Sequence, residues 1–514
     1  MSTAKRIISG TAASWLRIFI TVMYQIAIVP IFLSRWSVEA YAVWIALQSL
    51  ISLLTTFDVG YQNFLGYEFL KIGKDDNKLL GQYLGSAIIV AVLLGLFEIL
   101  IAVIILKFDF FLNLLNASAL DKSLIYQSQI VFLLLIISWL INSSIGGILV
   151  RILSPFGYYP RMSWWGVATS ILNSLAPTIA VMLGAGLLEA GIVLVLSTTV
   201  LNVFQYTDML NLLKKEGVPM KFNKLKLGFV NLLSSVVLSI KSILENLRQQ
   251  GIRVILAPLA GLSTLAAFST MRTGANMALQ GLNTLVNPME PELMRFLHNR
   301  DQERMEAAFS TIWVVVIAVL SPAIVLLQAF FGPFFEIWTH GKIEFNPSLF
   351  GLLSLDVLVY ALAQPAIGVV IGNNLLKPQF LLSLISAVVV IMLMWLFIPS
   401  FGISLAGISL LIAEIIIAIG YWYTACLWLK KNGLVWPKKS FNIAVTSVTI
   451  AMVSILFIIL FGQLKWIIIC SSLILSYFNA YRYWKSLPSI ASNYVKQSAS
   501  KIPVIRNLPL FRTL

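Results

Sequence analysis

Lys241, Glu245 and Arg248 stand at i, i+4 and i+7 in an otherwise apolar stretch, SIKSILENLRQQGIR. On an α-helix that spacing puts all three on one face. Once Lys241 and Glu245 pair, the face keeps a net positive charge; Gln249 borders it, and Arg253 points elsewhere. Such a face binds anions rather than making bonds, because a guanidinium fork grips phosphate through two parallel hydrogen bonds. It is either the wall of a polar cavity or an internally paired patch that braces packed helices. Arg272, Asn276, Asn283 and Asn287 form a second stripe at offsets 0, 4, 11 and 15. Amides both donate and accept, which suits sugar hydroxyls; the alternative is hydrogen bonding between helices. Arg17, Thr21 and Tyr24 share a third face, unless Arg17 snorkels to the membrane surface. Asp58, with Gln62 and Asn63 behind it, is a cap, a turn residue or a partner for a base. Glu98, Asp356 and Glu414 are isolated acids in apolar runs, each a site for a proton or sodium ion or a partner for a basic residue.

Bond-making chemistry finds no foothold. Asp75 and Asp76 lie in GKDDNK, a solvated turn, and His298 and His340 fall on opposite membrane sides in the topology below. Cys426 and Cys470 sit in apolar stretches as small hydrophobes. Zinc-protease, phosphate-loop, dinucleotide and nucleophile-elbow patterns are all missing. Neither a metal nor an organic cofactor is expected, and the chain does not read as an enzyme.

The elements that must hold these residues are transmembrane helices. Hydrophobic residues make up 59% of the 514 and charged ones only 11%, against about 25% charged in soluble domains. Apolar runs fall at 13–34, 41–66, 82–106, 124–149, 163–184, 186–212, 228–257, 262–289, 307–332, 348–373, 379–399, 402–428, 441–462 and 464–484. Each reaches the roughly 20 residues that cross a bilayer core, so fourteen helices are expected. The first is read as a helix rather than a cleaved signal, because its apolar run is too long and lacks a small-residue cleavage site. With a cytoplasmic N-terminus, 26 of the 36 Lys and Arg fall on the inner side, 5 outside and 5 within helices. That bias follows the positive-inside rule and puts both termini in the cytoplasm. The net charge of +15 therefore reports orientation and contact with anionic lipid, not nucleic acid. The basic linker 213–227 separates six helices in 1–212 from six in 228–428. Two more helices lie in 429–485, before a basic tail, 486–514, that either lies on the membrane surface or is disordered.

The stretch from Val29 to Gly66 carries Pro30, Leu33, Tyr41, Trp44, Asp58 and Gly60. Their arrangement resembles the polysaccharide-export flippases, the Wzx-type O-antigen transporters: a Pro-apolar-Leu helix end, a Tyr-Gly-x-Trp-like start and an Asp-x-Gly element. Ala42 stands where that pattern has Gly. The six-plus-eight layout is similar to the wider exporter superfamily, which includes drug/cation exporters and lipid II flippases.

The resemblance implies two lobes in a V around a central, cationic cavity, plus two extra C-terminal helices. It also implies transfer of an undecaprenyl-pyrophosphate-linked oligosaccharide to the outer leaflet of a bacterial cytoplasmic membrane by alternating access. Partners would be membrane lipid, the lipid-linked sugar and other polysaccharide-assembly membrane proteins. Arg248, Lys241 and Arg272 would attract the pyrophosphate or acidic sugar, and Asn276 and Asn283 would meet hydroxyls. Asp58 and Glu245 would pair with bases, and Arg17, Tyr24 and Arg253 would line or gate the path. A drug or small-cation antiporter of the same superfamily is the alternative, followed by a membrane-embedded glycan polymerase or ligase.

Overall fold

The computed structural model describes residues 3–108, 110–116, 120–222, 224–286 and 289–488. Among them every regular element is helical. The long helices are α1 (Thr3–Arg35), α2 (Val38–Leu54), α3 (Thr56–Ile72), α4 (Asn77–Lys107), α5 (Lys122–Ile152), α6 (Tyr159–Met182), α7 (Leu187–Lys215), α8 (Leu225–Ala260) and α9 (Leu262–Val286). They continue with α10 (Gln302–Trp338), α11 (Pro347–Gly372), α12 (Leu376–Phe401), α13 (Ser404–Lys431), α14 (Lys438–Leu460) and α15 (Lys465–Ser486). All fourteen apolar runs coincide with helices. Among the described residues twelve helices are long and apolar enough to cross a membrane singly, and α2 with α3 forms a thirteenth span bent by 46°. The remaining run, α9, is not among them, because Arg272, Asn276, Gln280 and several hydroxyls interrupt its apolar length. The basic tail falls almost wholly outside the described residues.

By contacts the chain groups into two compact units. The first is Met1–Thr270 with Trp338–Glu344 and Ile398–Ser400; the second is Met271–Ile337, Phe345–Phe397 and Phe401–Leu514. Helix α8 therefore groups with the six spans before it, although a basic linker separates them in sequence.

In the first unit the reason is close backbone approach. A Cβ on Gly60 of α3 would stand 2.5 Å from Ser239 Cα of α8, so glycine is what lets these helices touch. The linker before α8 is also held: Lys221 N donates to Gly81 O (3.2 Å) and Asn77 Nδ2 to Glu216 O (2.6 Å). Tyr61, Phe69, Leu84, Ile148, Leu149 and Met209 pack into one buried core. Pro30 interrupts α1, and a proline cannot bond the carbonyl four residues back. That carbonyl, Ile26 O, instead accepts from Trp338 Nε1 at 2.7 Å. Lys342 Nζ donates to Trp36 O nearby.

In the second unit Phe309, Trp313, Trp436 and Phe441 form an aromatic core with ring centroids 5.3–5.9 Å apart. Trp313 Nε1 finds its partner in Leu362 O at 3.0 Å, as a buried indole N–H must. Helices α11 and α13 run parallel and meet where a Cβ on Gly407 would lie 2.8 Å from Leu352 Cβ.

Candidate functional site

Two breaks in helix regularity shape a cavity inside the first unit. The bend between α2 and α3 leaves the Ser52 carbonyl to accept from Thr56 Oγ1 at 2.6 Å and from Asn246 Nδ2 of α8 at 2.7 Å. The same amide also donates to Ser52 Oγ at 3.1 Å and to Thr56 Oγ1. In α5 a π-helical turn spans Leu140–Ser144. Such turns widen the helix and release carbonyls; here Ile141 O is taken up by the Tyr206 hydroxyl of α7 at 2.5 Å.

Between these breaks lies a cavity of about 610 Å³. Its wall takes Gln48 and Ser52 from α2, Thr56 from α3, Trp139 and Asn142 from α5, and Asn173 from α6. Thr198 of α7 and Ser242, Glu245, Asn246 and Gln249 of α8 complete it. The lining is therefore hydroxyls, amides, one indole and a few aliphatic groups, and Glu245 is its single ionisable side chain. Thr198 Oγ1 donates to Asn173 Oδ1 at 3.0 Å. Asn142 Nδ2 donates to Ser138 Oγ (2.9 Å) and Thr199 Oγ1 (3.1 Å), while its buried Oδ1 has no partner among the described residues.

Behind Trp139 a chain of hydrogen bonds runs into the protein. Its Nε1 donates to Asp58 Oδ2 at 3.0 Å, and Gln62 Nε2 donates to the same oxygen at 2.9 Å. Arg151 Nη1 donates to Gln62 Oε1 (2.9 Å) and Gly147 O (2.8 Å), and Nη2 to Asn63 Oδ1 (2.6 Å). Asp58 is fully buried. Its link to a base runs through Gln62 and is no direct ion pair, which departs from the simple pairing expected of it. The Asp-x-Gly element thus combines two roles: Asp58 holds an indole, and Gly60 admits α8.

Glu98 lies on the buried α4 face formed by Ala91, Gly95, Glu98 and Ala102. Gly95, one turn away, abuts the Leu140 side chain next to Trp139. Neither carboxyl oxygen of Glu98 has a hydrogen-bond partner among the described residues, and Asp58 acts on it electrostatically.

Of the other residues singled out in the sequence, Lys241 and Glu245 form an ion pair at 3.6 Å, and Glu245 faces the cavity. Lys241 and Arg248 are not among the lining residues. The stripe of α8 that faces the cavity is instead Ser242, Glu245, Asn246 and Gln249, at ordinary helical spacing and turned slightly from the face that Lys241 and Arg248 share. Arg253 Nη1 donates to Gln250 Oε1 at 3.0 Å, which also accepts from Ser49 Oγ at 3.4 Å. Tyr41 lies within electrostatic reach of both Arg253 and Tyr24. Arg17 is exposed, with its guanidinium alongside Gly166 of α6.

In the second unit Arg272 is buried and Asn276 half-buried on α9; the Asn283 side chain lies outside the described residues. Asp356 and Glu414 sit at similar depth on the parallel pair α11 and α13, following the Gly407–Leu352 register. An apolar cavity of about 240 Å³ lies further along these helices, walled by Leu362, Ile415, Trp422, Trp436 and Phe441 among others. No cluster of three or more His, Cys, Asp or Glu suited to a metal occurs among the described residues.

Sequence reasoning missed Trp139, Asn142, Asn173, Thr198 and Asn246. The signal was a few polar residues scattered through each of several apolar runs, which reads as nothing until the helices are assembled.

No protein-family model matches the sequence, and no curated protein matches it. The fold has solved counterparts. The lipid II flippase MurJ in an inward closed conformation superposes with a TM-score of 0.65 at 14% identity, covering 93% of this chain and 99% of that one. An inward-facing multidrug resistance MATE transporter of the MOP superfamily gives 0.64 at 12% identity over 80% of this chain and 95% of that one. A MOP superfamily transporter from Pyrococcus furiosus, described as having a binding pocket of reverse polarity, gives 0.56 at 15% identity over 84% and 96%. The chain has the all-helical fold of these membrane transporters.

Proposed function

We propose that this chain is a flippase for a lipid-linked oligosaccharide, moving an undecaprenyl-pyrophosphate-linked surface-polysaccharide repeat unit to the outer leaflet of a bacterial cytoplasmic membrane. One observation carries the reading: a cavity of about 610 Å³, walled by hydroxyls and amides, inside a unit made of membrane helices. Polar walls within a bilayer cost free energy unless they meet water or a polar cargo. Hydroxyls and amides that both donate and accept match the donor-acceptor pattern of a sugar. MurJ, of similar fold, is named as a flippase of lipid II.

In this reading Lys241 and Arg248 meet the pyrophosphate near the cavity, and the buried Glu98 and Glu414 and the half-buried Asp356 are candidates for proton or sodium coupling. Both termini lie in the cytoplasm, as the Lys and Arg bias supports. A drug or small-cation antiporter fits the MATE-like fold equally well, and Glu245 in the cavity is the group that would favour it.

Proteoliposomes decide between them. The purified protein is expected to move a fluorescent polyprenyl-pyrophosphate-linked glycan between leaflets, scored by its accessibility to a membrane-impermeant lectin or quencher. Uptake of an organic cation with no glycan transfer, lost in Glu245→Gln, would replace the flippase reading with the antiporter.

A further inference from the structure

We propose that the cavity of the first unit is a subsite for uncharged sugar rings of the cargo, with the Trp139 indole as its platform and Asp58 as the residue that positions it. The inference rests on the flippase reading and adds to it the class of sugar bound.

Three observations converge. The first is charge. Among the described residues Glu245 is the only ionisable one of the wall, and Lys241 pairs with it at 3.6 Å. Neither Lys241 nor Arg248 contributes to the lining. A uronate entering this space would lose hydration and gain no cation from the wall, and it would face the Glu245 carboxylate. A neutral pyranose loses only hydroxyl hydration, which the wall can replace.

The second is polar chemistry. Gln48, Asn142, Asn173, Thr198 and Asn246 come from five helices and supply both donors and acceptors around one space. The Asn142 amide has its nitrogen committed to the α5–α7 contact, while its buried oxygen has no partner among the described residues. A hydroxyl donor in the cavity would satisfy it.

The third is the indole. An aromatic face is electron-rich and attracts the electropositive C–H groups on one face of a sugar ring. Trp139 is half-buried at the wall, and its N–H is tied to a fully buried carboxylate. Gln62 and Arg151 hold that carboxylate's surroundings in place. A ring anchored through three further side chains loses little freedom when a ligand lands on it, which is preorganisation.

The test uses full-length protein in lipid nanodiscs and saturation-transfer difference NMR with two probes, N,N′-diacetylchitobiose (neutral) and digalacturonic acid (anionic). The neutral disaccharide is expected to bind and the diuronate to bind at least tenfold more weakly. Trp139→Ala should weaken neutral binding about tenfold, while Trp139→Phe keeps most of it. Asp58→Asn should weaken it less than Trp139→Ala and should be largely silent in the Trp139→Phe background, since phenylalanine has no N–H to place. Gln48→Ala and Thr198→Val each remove one cavity group and should cost about 2- to 10-fold. They carry the test if Trp139→Ala folds poorly.

Diuronate binding as tight as the neutral probe, or Gln48→Ala and Thr198→Val both binding unchanged, would overturn the proposal. Lipid-linked glycan transfer without neutral-sugar binding removes the subsite and leaves the flippase. Sugar binding without any leaflet transfer removes the flippase and leaves the subsite.

Discussion

Replacing Gly60 with alanine is a one-methyl test of how α3 and α8 are held together. The added Cβ would stand 2.5 Å from Ser239 Cα, with Ser239 Cβ at 2.8 Å and Ser239 Oγ also touching it. Ordinary carbon–carbon separations lie at about 3.5–4.0 Å, so the helices must part by roughly 1 Å. No rotamer change relieves this, because the nearest carbon belongs to the backbone. Overpacking of this kind costs about 1–3 kcal/mol. The damage extends further, since Asn246 lies seven residues beyond Ser239 on the same helix and ties it to Ser52 and Thr56. Losing one such hydrogen bond adds about 1 kcal/mol. The sum, about 2–4 kcal/mol, is to be read as a drop in midpoint in a thermal or denaturant melt of the detergent-solubilised protein, followed by intrinsic tryptophan fluorescence. Ser239→Gly in the Gly60→Ala background removes the clash with the serine side chain but leaves the backbone carbon of residue 239 in the way, so partial recovery is expected. An unchanged midpoint for Gly60→Ala would refute the close-approach argument, and full recovery in the double variant would refute the claim that backbone is the obstacle.

Four shorter predictions follow from the same structure. Asn246→Leu should lower the melting midpoint by an amount equivalent to about 1–3 kcal/mol, because it leaves the Ser52 carbonyl with one partner fewer inside the protein; an unaltered melt argues against its role at the bend. Arg151→Met removes donors to Gln62, Asn63 and Gly147, and should destabilise by about 1–3 kcal/mol as their acceptors lose partners; the variant is expected to gain stability when Asp58→Asn is added, because no buried carboxylate then lacks a nearby positive charge there. Glu98→Gln keeps the shape but removes a buried carboxyl without hydrogen-bond partners among the described residues, so stability should hold or rise by about 1 kcal/mol; if Glu98 couples transport to an ion, glycan transfer in the same variant should no longer respond to an imposed ion gradient. Gly85→Ala should push against Lys221 C, 2.5 Å from the added Cβ, and loosen the linker; limited trypsin digestion should then cut sooner at Lys221 or Lys224.

The helices were legible because their signal is local. An apolar run bounded by charge needs no knowledge of its neighbours, and the Lys and Arg bias tested the set of runs together. The bend at Thr55 left no such mark, since neither proline nor glycine stands there, and the sequence reads α2 and α3 as one run. The cationic face of α8 shows a different obstacle. Periodicity puts Lys241, Glu245 and Arg248 on one face, but the neighbouring stripe Ser242, Glu245, Asn246 and Gln249 is the one that faces the cavity, and which stripe turns inward is set by how α8 packs. Asp58 and Gly60 stood out as a pair, but the reasons for them, Trp139 and Ser239, lie 81 and 179 residues further along the chain. The cavity was least legible, because each helix gives it only a few polar side chains and the site exists only where they meet.

The proline in α1 also bears on the order of events during synthesis. Ile26 O has no helix partner from the moment the first helix forms, and an unpaired carbonyl within lipid costs several kcal/mol. Its donor is the indole N–H of Trp338, 312 residues later. At ribosomal speeds of about 5–20 residues per second, the gap lasts roughly 15 to 60 s. Over that interval the first helix must borrow a donor, whether water, lipid headgroup or an insertion chaperone. Satisfying the first helix is thus a handover, timed by the emergence of a single tryptophan.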